Sequence, residues 1–330
     1  MSDGTHSRRR TPTRRVRVEA RAKLNLGLAV GPARADGFHE LATVFQSISL
    51  ADTLILEPRR RGFSLAVRFE DASARRGGSA RRGARSARRT AVAAVPRGRA
   101  NLVLRAAHLL ASRHPFPGGV RFTLIKRIPA GAGLGGGSAD AAAALMGLAR
   151  LHRLRLDPAE RHAIGAQLGS DVPFALLGGT ALGLGRGEWL RPLRLAHPFR
   201  AVLAVPSWRV STARAFRQLD RRKYGLTRWT AKLRFVESLG REAIKVERAM
   251  RLGTTFEEVL GERRSEFLSL CARLRRAGVE EPHLTGSGSA VFGIVPAGLP
   301  GRRVVERFTG DEAIYLIRSR GTGLTHTTLL

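Results

Sequence analysis

Four groups of residues in this chain have the types and spacing to do chemistry. The densest is IPAGAGLGGGSADAA, residues 128–142, where five glycines fall between Gly131 and Gly137. With side chains nearly absent, the backbone amides become the working surface. From Ser138 an Ala- and Leu-rich run continues to Leu151 without a breaker, which predicts a helix. A glycine-rich loop that feeds a helix N-terminus offers free N–H groups and the positive end of the helix dipole to an anion, most often phosphate. A flexible linker is the alternative, but linkers of Gly and Ser do not usually run into a capped helix. The other groups are Lys23 with Asn25, Phe38 with His39, and Asp171 in GSDVPF. Ammonium, imidazole and carboxylate groups are the ones that move protons and stabilise charge in group transfer.

Two familiar phosphate loops are imitated here and neither fits. Gly131, Gly133 and Gly136 spell G-x-G-x-x-G, but the dinucleotide fingerprint also needs a βαβ unit with an acid ending its second strand. Instead Asp157-Pro158-Ala159-Glu160 follows the helix and starts another one, with an N-cap, an N1 proline and an N3 glutamate. A Walker loop ends in Gly-Lys-Ser or Gly-Lys-Thr, and this chain has Gly136-Gly137-Ser138. What remains is a cradle of amides over Pro129, Ala130, Gly131, Ala132, Gly133, Leu134, Gly135, Gly136, Gly137, Ser138 and Ala139. Ser138 is expected to cap the helix and is a candidate ligand for phosphate or a metal.

The elements that must position these groups follow from periodicity. Val16, Val18, Ala20, Ala22, Leu24, Leu26, Leu28 and Val30 alternate as a strand with one buried face. Lys23 and Asn25 share the opposite face. Ala35-Asp36-Gly37 is a turn signal, and strand-like runs extend from it to Ser49, from Thr53 to Glu57, and over 62–70. Asn101 caps an amphipathic helix to about Ser112. Val120, Phe122 and Leu124 alternate into Lys126, so the glycine loop lies between a strand and a helix. A second half begins near 195. It holds a strand at 199–206, a short helix containing Phe216 that Ser211 or Thr212 can cap, and a basic, mostly helical stretch to 250. A longer helix from Glu257 to Ala277 follows, then the small-residue loop Thr285-Gly286-Ser287-Gly288-Ser289, a strand to Val295, a helix at 301–308 and a final strand at 313–317. Mixed helices and strands of this kind are an α+β pattern.

Each residue singled out has a plainer reading beside the functional one. Lys23 and Asn25 fit a solvated strand face as well as a site. A lone histidine such as His39 is more often a structural hydrogen-bonder. Asp171, between a glycine and a proline two residues later, fits a turn cap. Cys271 sits beside Leu270 and Leu274 in a helical pattern and reads as a small core residue.

Composition narrows the classes. No apolar run reaches about 18 residues, so no membrane span is expected. The N-terminus has arginines but no apolar core of a secretory signal. A single cysteine makes no internal disulfide, and a reducing, cytoplasmic setting is the default. The net charge of +32 is unevenly placed: residues 1–15 carry five Arg, and 72–99 carry nine with no acid. Such charge fits nucleic acid, a polyanionic substrate or an Arg-rich proteome. Neither basic tract contains the aromatic residues that nucleic-acid readers add. Nucleic acid is therefore not the expected partner, and the tracts read as a disordered tail (1–15) and a low-complexity surface insertion (about 72–99).

Several separated motifs together resemble one family. IPAGAGLGGGSADAA is similar to the glycine-rich motif of the GHMP kinases, the galactokinase–homoserine kinase–mevalonate kinase group. AKLNLGL, ADGFHEL, GSDVPF, GRGE and LTGSGSAVF follow the same pattern in the same order, over roughly 16–70 and 100–320. The resemblance implies an α+β two-domain GHMP kinase fold. Its N-terminal ATP-binding domain, of the ribosomal protein S5 domain 2-like type, would span 16–194, and its ferredoxin-like C-terminal domain 195–330. ATP would be the co-substrate, with Mg2+ expected. By the motif, Lys23 corresponds to the family's catalytic lysine and Asp171 to its general base. ADGFHEL and Phe216 narrow the match to the branch whose acceptor is a cytidine diphosphate derivative in isoprenoid precursor synthesis. There Asn25 and His39 match cytidine-binding groups, Phe38 and Phe216 the rings that sandwich the base, and Thr212 lies close by. A homoserine- or mevalonate-type kinase is the alternative. Ala132 and Ala139 depart from the Gly and Ser of many members, and Phe38 stands where Tyr is frequent. The chain would be a monomer or a homodimer.

Overall fold

The computed structural model describes residues 15–73, 95–96, 98–221, 226–240 and 242–329. The basic tail apart from Arg15, and most of the Arg-rich tract, lie outside these residues. Two long strands form the frame: β1 (Arg15–Ala33) and β2 (His39–Arg59), joined at the expected Asp36-Gly37 turn, where Gly37 takes φ 80°. β3 (Gly62–Phe69), helix α1 (Leu102–Arg113), β4 (Gly119–Lys126) and helix α2 (Gly136–Leu151) follow. α1 starts at Asn101, whose side chain accepts the Val103 amide, as its position before the apolar stripe requires. Then come α3 (Pro158–Leu168), the short α4 (Val172–Leu177), β5 (Thr180–Gly185) and β6 (Trp189–Leu193).

The second half contains β7 (Arg200–Val205), α5 (Thr212–Arg221), α6 (Leu226–Glu237), α7 (Val246–Met250) and α8 (Arg264–Arg276). It ends with β8 (Glu280–Leu284), β9 (Val291–Ile294), α9 (Gly301–Arg307), β10 (Ala313–Arg318) and β11 (Leu324–Leu329). The long helix expected from Glu257 is broken. Two 3-10 turns, Thr255–Val259 and Gly261–Arg263, precede α8, because Gly261 at φ 57° interrupts the α-helical backbone.

Among the described residues, one sheet has seven strands. Its main path runs β11-β1-β2-β4-β3, and the β5–β6 hairpin pairs with the other half of β2. The other sheet has four, in the order β10-β7-β9-β8. Among the described strand pairs only β3 and β4 run parallel. The change of sheet falls between Leu193 and Arg200. β11, which period-two patterning misses, returns to the first sheet and pairs antiparallel with β1.

These layers explain the burial of β1. Val16, Val18 and Ala20 face a core shared with α1, α2, Phe122 and Leu124. Ala22, Leu24 and Leu26 instead meet Leu203, Phe292 and Ile317 of the second sheet. From Ala22 to Gly31 every residue is buried, so the solvated-face reading of Lys23 and Asn25 fails: they are 7% and 4% exposed.

Candidate active site

The glycine loop leaves β4 at Lys126 and enters α2 at Gly136. Gly131, Gly133 and Gly135 take positive φ of 67°, 81° and 67°, one residue in two. The carbonyl just before each of them is pinned to the protein. Arg209 Nη1 donates to Ala130 O, Ala290 N to Ala132 O at 3.2 Å, and Lys23 N to Leu134 O at 3.0 Å. Left-handed residues alternating in this way turn successive N–H groups toward a common side, a nest for an anion. The loop is therefore anchored on both halves of the molecule, which a linker is not. Its backbone also presses on the second small-residue loop: a Cβ at Gly133 would stand 2.4 Å from Thr285 O.

The cap of α2 is Gly135 (φ 67°, ψ 17°), not Ser138. The reason is space. A Cβ at position 135 would lie 2.9 Å from Lys23 Cγ and 3.6 Å from Asp171 Oδ2. The turn must therefore be made by a residue without a side chain, and the helix starts there. Ser138 becomes the third helical residue, partly exposed, and the amides of Gly136, Gly137 and Ser138 belong to the unpaired first turn.

Lys23 and Asp171 come from distant elements and meet at this turn. Asp171 precedes α4, yet its carboxylate makes no capping bond. It lies 3.5 Å from Lys23 Nζ, with its side chain 32% exposed. Lys23 Nζ donates to Asn25 Oδ1 at 2.5 Å and stands 5.5 Å from the centre of the Phe45 ring. Asn25 is itself held. Its Nδ2 donates to Thr43 Oγ1 at 2.7 Å, Thr43 donates to Gly27 O, and its backbone amide donates to Thr285 Oγ1 at 2.9 Å. The Asn25 carboxamide is thus committed at both ends to protein partners.

The residues expected around a base lie to one side. His39 Nε2 and Asp220 Oδ1 are 2.8 Å apart, and the His39 ring stacks on Phe216 with centroids 5.0 Å apart. Thr212 Oγ1 and Ser287 Oγ are 2.7 Å apart. Phe38 is 48% exposed and carries the Arg186 guanidinium 4.8 Å from its ring centre. The structure thus brings His39, not Phe38, onto the face of Phe216, because Asp220 draws the imidazole there. A cleft of about 630 Å³ opens beside Gly131, walled by Arg209, Ser211, Arg214, Gln218 and Arg263.

Sequence reasoning left three features unassigned. Arg209 ties the second half to the glycine loop. Asp220 orients His39. Beneath the loop, Lys126 lies between Asp52 and Asp140, all three buried. The last has a legible signal: Phe122, Leu124 and Lys126 share one strand face, so the lysine had to be buried and to need carboxylates.

A model of the GHMP kinases N terminal domain matches residues 101–179. A 4-diphosphocytidyl-2-C-methyl-D-erythritol kinase of Moorella thermoacetica is 41% identical over 295 residues, covering 88% of this chain and 93% of that one. This chain belongs to the 4-diphosphocytidyl-2-C-methyl-D-erythritol kinase family. A crystal structure of a 4-(cytidine 5'-diphospho)-2C-methyl-D-erythritol kinase, 35% identical, superposes with a TM-score of 0.68 over 92% of this chain and 99% of that one. Homoserine kinase from Cytophaga hutchinsonii, 15% identical, shares the fold with a TM-score of 0.62, covering 95% and 97%. The α+β two-domain GHMP kinase fold is thus the architecture of this member of the family. It is an ATP-dependent small-molecule kinase of isoprenoid precursor synthesis. Among its described residues no helix is long and apolar enough to cross a membrane.

Proposed function

We propose that this chain transfers the γ-phosphoryl group of ATP to the 2-hydroxyl of 4-diphosphocytidyl-2-C-methyl-D-erythritol. Asp171 acts as general base and Lys23 assists. The observation that carries this reading is the 3.5 Å approach of Lys23 Nζ and Asp171 Oδ2 at Gly135, where the amide nest meets the first turn of α2. Phosphoryl transfer is mainly positioning and charge stabilisation, with one carboxylate to take the hydroxyl proton. Asp171, free of capping duty and partly exposed, takes that proton. Lys23 faces the attacking oxygen as charge develops on it, held in line by Asn25. The amides of residues 129–139 hold the phosphates, and water is kept off Lys23 by the walls that bury it.

Mg2+, when bound, would supply charge neutralisation for the ATP phosphates. The described residues contain no group of three or more His, Cys, Asp or Glu side chains fit to cage a metal. This suits an ion held mostly by phosphate oxygens and water, and Ser138 is the one hydroxyl within the loop available to it.

On the acceptor side His39, Phe216 and Thr212 line the place for the cytosine, with Phe38 at its rim; the relatives' printed substrate supports a cytidine-bearing acceptor. The Arg209, Arg214 and Arg263 side chains beside Gly131 suit a substrate that carries a diphosphate. The ATP half of the site is built from 16–194 and most of the acceptor half from 195–330. Asp171→Asn should keep ATP affinity and lower kcat by about 100-fold or more. Isothermal titration with ATP and steady-state kinetics check this, and near-normal kcat would remove Asp171 from the role of base. Rates with the diphosphocytidyl acceptor, homoserine and mevalonate decide the acceptor; a preference for either of the last two would overturn the assignment.

A further inference from the structure

The glycine loop is closed at its base by a buried ionic cluster that the proposed chemistry does not use. Lys126 is the last residue of β4 and Asp140 lies in the first part of α2, so they flank the loop. The Lys126 ammonium joins them, donating to Asp140 Oδ2 at 2.7 Å. It also donates to Asp52 Oδ2 on β2. The other oxygen of Asp52 accepts the backbone amides of Arg127 and Ile128, at 2.5 Å and 2.9 Å, where the loop begins. Asp52 is 0%, Asp140 3% and Lys126 4% exposed. A Cβ on Gly136 would stand 3.3 Å from Lys126 Nζ, so the cluster lies directly under the first turn of the helix.

Stability does not account for this arrangement. A buried ion pair at best roughly offsets its desolvation, and apolar residues of similar volume are often neutral or better. Here the balance is worse than for a pair. Two carboxylates share one ammonium, and Asp140 Oδ1 is buried with no hydrogen-bond partner. Burial, with Asp52 nearby, pushes the Asp140 carboxyl well above the usual carboxylate range despite Lys126. Burial alone would lower Lys126, but Asp140 and Asp52 outweigh it and hold its ammonium above the ordinary value. What the cluster does supply is geometry. Each of the loop's five glycines has more conformational freedom to lose than any other residue would in its place. Fixing residues 126–128 and 140 to one point on β2 sets the frame from which its amides are aimed.

We propose that Asp52, Lys126 and Asp140 form a clasp that closes the base of the glycine loop and sets its amides in register with the phosphates of ATP. All three are positioning residues: they act through the loop backbone. The inference rests on the reading that this loop holds the triphosphate.

The test is ligand affinity graded by phosphate number. ATP and AMP dissociation constants are measured by calorimetry for the unmodified chain, Lys126→Met, Asp140→Asn and the neutral triple variant Asp52→Asn/Lys126→Met/Asp140→Asn. The triple variant leaves no uncompensated buried charge, so it reports even if Lys126→Met does not fold. ATP binding should weaken by about tenfold or more, since a misplacement of about 1 Å costs on the order of 100-fold in a positioned site. AMP binding should change little. KM for ATP should rise while KM for the acceptor stays within about twofold. A folded triple variant with unchanged ATP affinity overturns the clasp, as does an equal loss for ATP and AMP. If the unmodified chain binds ATP no better than AMP, the loop is not a triphosphate site, and the proposal falls with that reading. Asp171→Asn, run alongside, tests the base separately, because its readout is kcat.

Discussion

Asn25 was expected to touch cytidine, yet both ends of its carboxamide are bound to the protein. The orientation is dictated by its partners. Lys23 can only donate, and the Thr43 hydroxyl donates to Gly27 O, so Asn25 must accept from one and donate to the other. A residue held in this way aims Lys23. Asn25→Leu should therefore lower kcat by about tenfold or more and leave acceptor KM nearly unchanged, at a cost of about 1–3 kcal/mol for the orphaned partners. Steady-state kinetics and thermal unfolding separate the two effects; a rise in acceptor KM alone would return Asn25 to the substrate. At this scale the sequence singles out a side chain where a motif isolates it, as with Lys23 and Asp171, which lie 3.5 Å apart in the structure. It was silent where a role depends on a partner far along the chain. Nothing in FHEL announces Asp220, and nothing around Arg209 announces Ala130.

At the scale of elements the glycine loop separates two kinds of glycine. Gly133 has φ 81° and faces Thr285 O, so it has neither the backbone angle nor the space for a methyl group. Gly137 lies in the first turn of α2, and a Cβ there would first meet Leu102 Cδ1 at 3.5 Å, an ordinary contact. Gly133→Ala should lower the melting temperature by several degrees, the equivalent of about 1–3 kcal/mol of backbone strain. Gly137→Ala should leave it unchanged or raise it, since alanine gains about 0.8–1 kcal/mol over glycine inside a helix. Thermal melts of the two variants check both signs. The strand–loop–helix unit was legible because periodicity changes sharply across it, from Phe122 and Leu124 to the Ala-rich run. The cap was misread because Ser138 has the better side chain. The position went to Gly135 because the backbone there takes φ 67° and Lys23 Cγ, 2.9 Å from where a Cβ would stand, leaves no room for a side chain. β11 was missed because LTHTTL is polar and does not alternate; only its pairing with β1 makes it a strand.

At the scale of the molecule the two sheets share the core that buries Ala22, Leu24 and Leu26 of β1, and the second half contributes its own layer. Cys271 reports on that layer. It lies in α8, donates to Pro282 O across to β8 at 3.8 Å, and burial, with Glu257 adding, pushes its thiol up to about 12. At pH 8 only about one thiol in 10,000 is then the reactive thiolate, against roughly a quarter for a free cysteine. Raising the pH toward 12 increases the reactive form. Iodoacetamide at pH 8 should therefore leave Cys271 unmodified in the folded protein and label it fully in denaturant, as mass spectrometry would show. Rapid labelling under native conditions would mean that α8 opens away from β8. The net charge of +32 is prominent in composition. Its arginine-dense tracts fall largely outside the described residues, while the core is assembled from the alternating segments between them.

The return of β11 to β1 also bears on how the polypeptide is made. A ribosome releases β1 early and β11 only after the entire second sheet. Until then β1 waits with one hydrogen-bonding edge open, a few residues from Lys23 and Asn25. An open edge is a template for pairing with another chain, and domains completed late spend longer exposed to that hazard. The first sheet is thus begun first and sealed last, and its window of vulnerability is set by the synthesis time of the second.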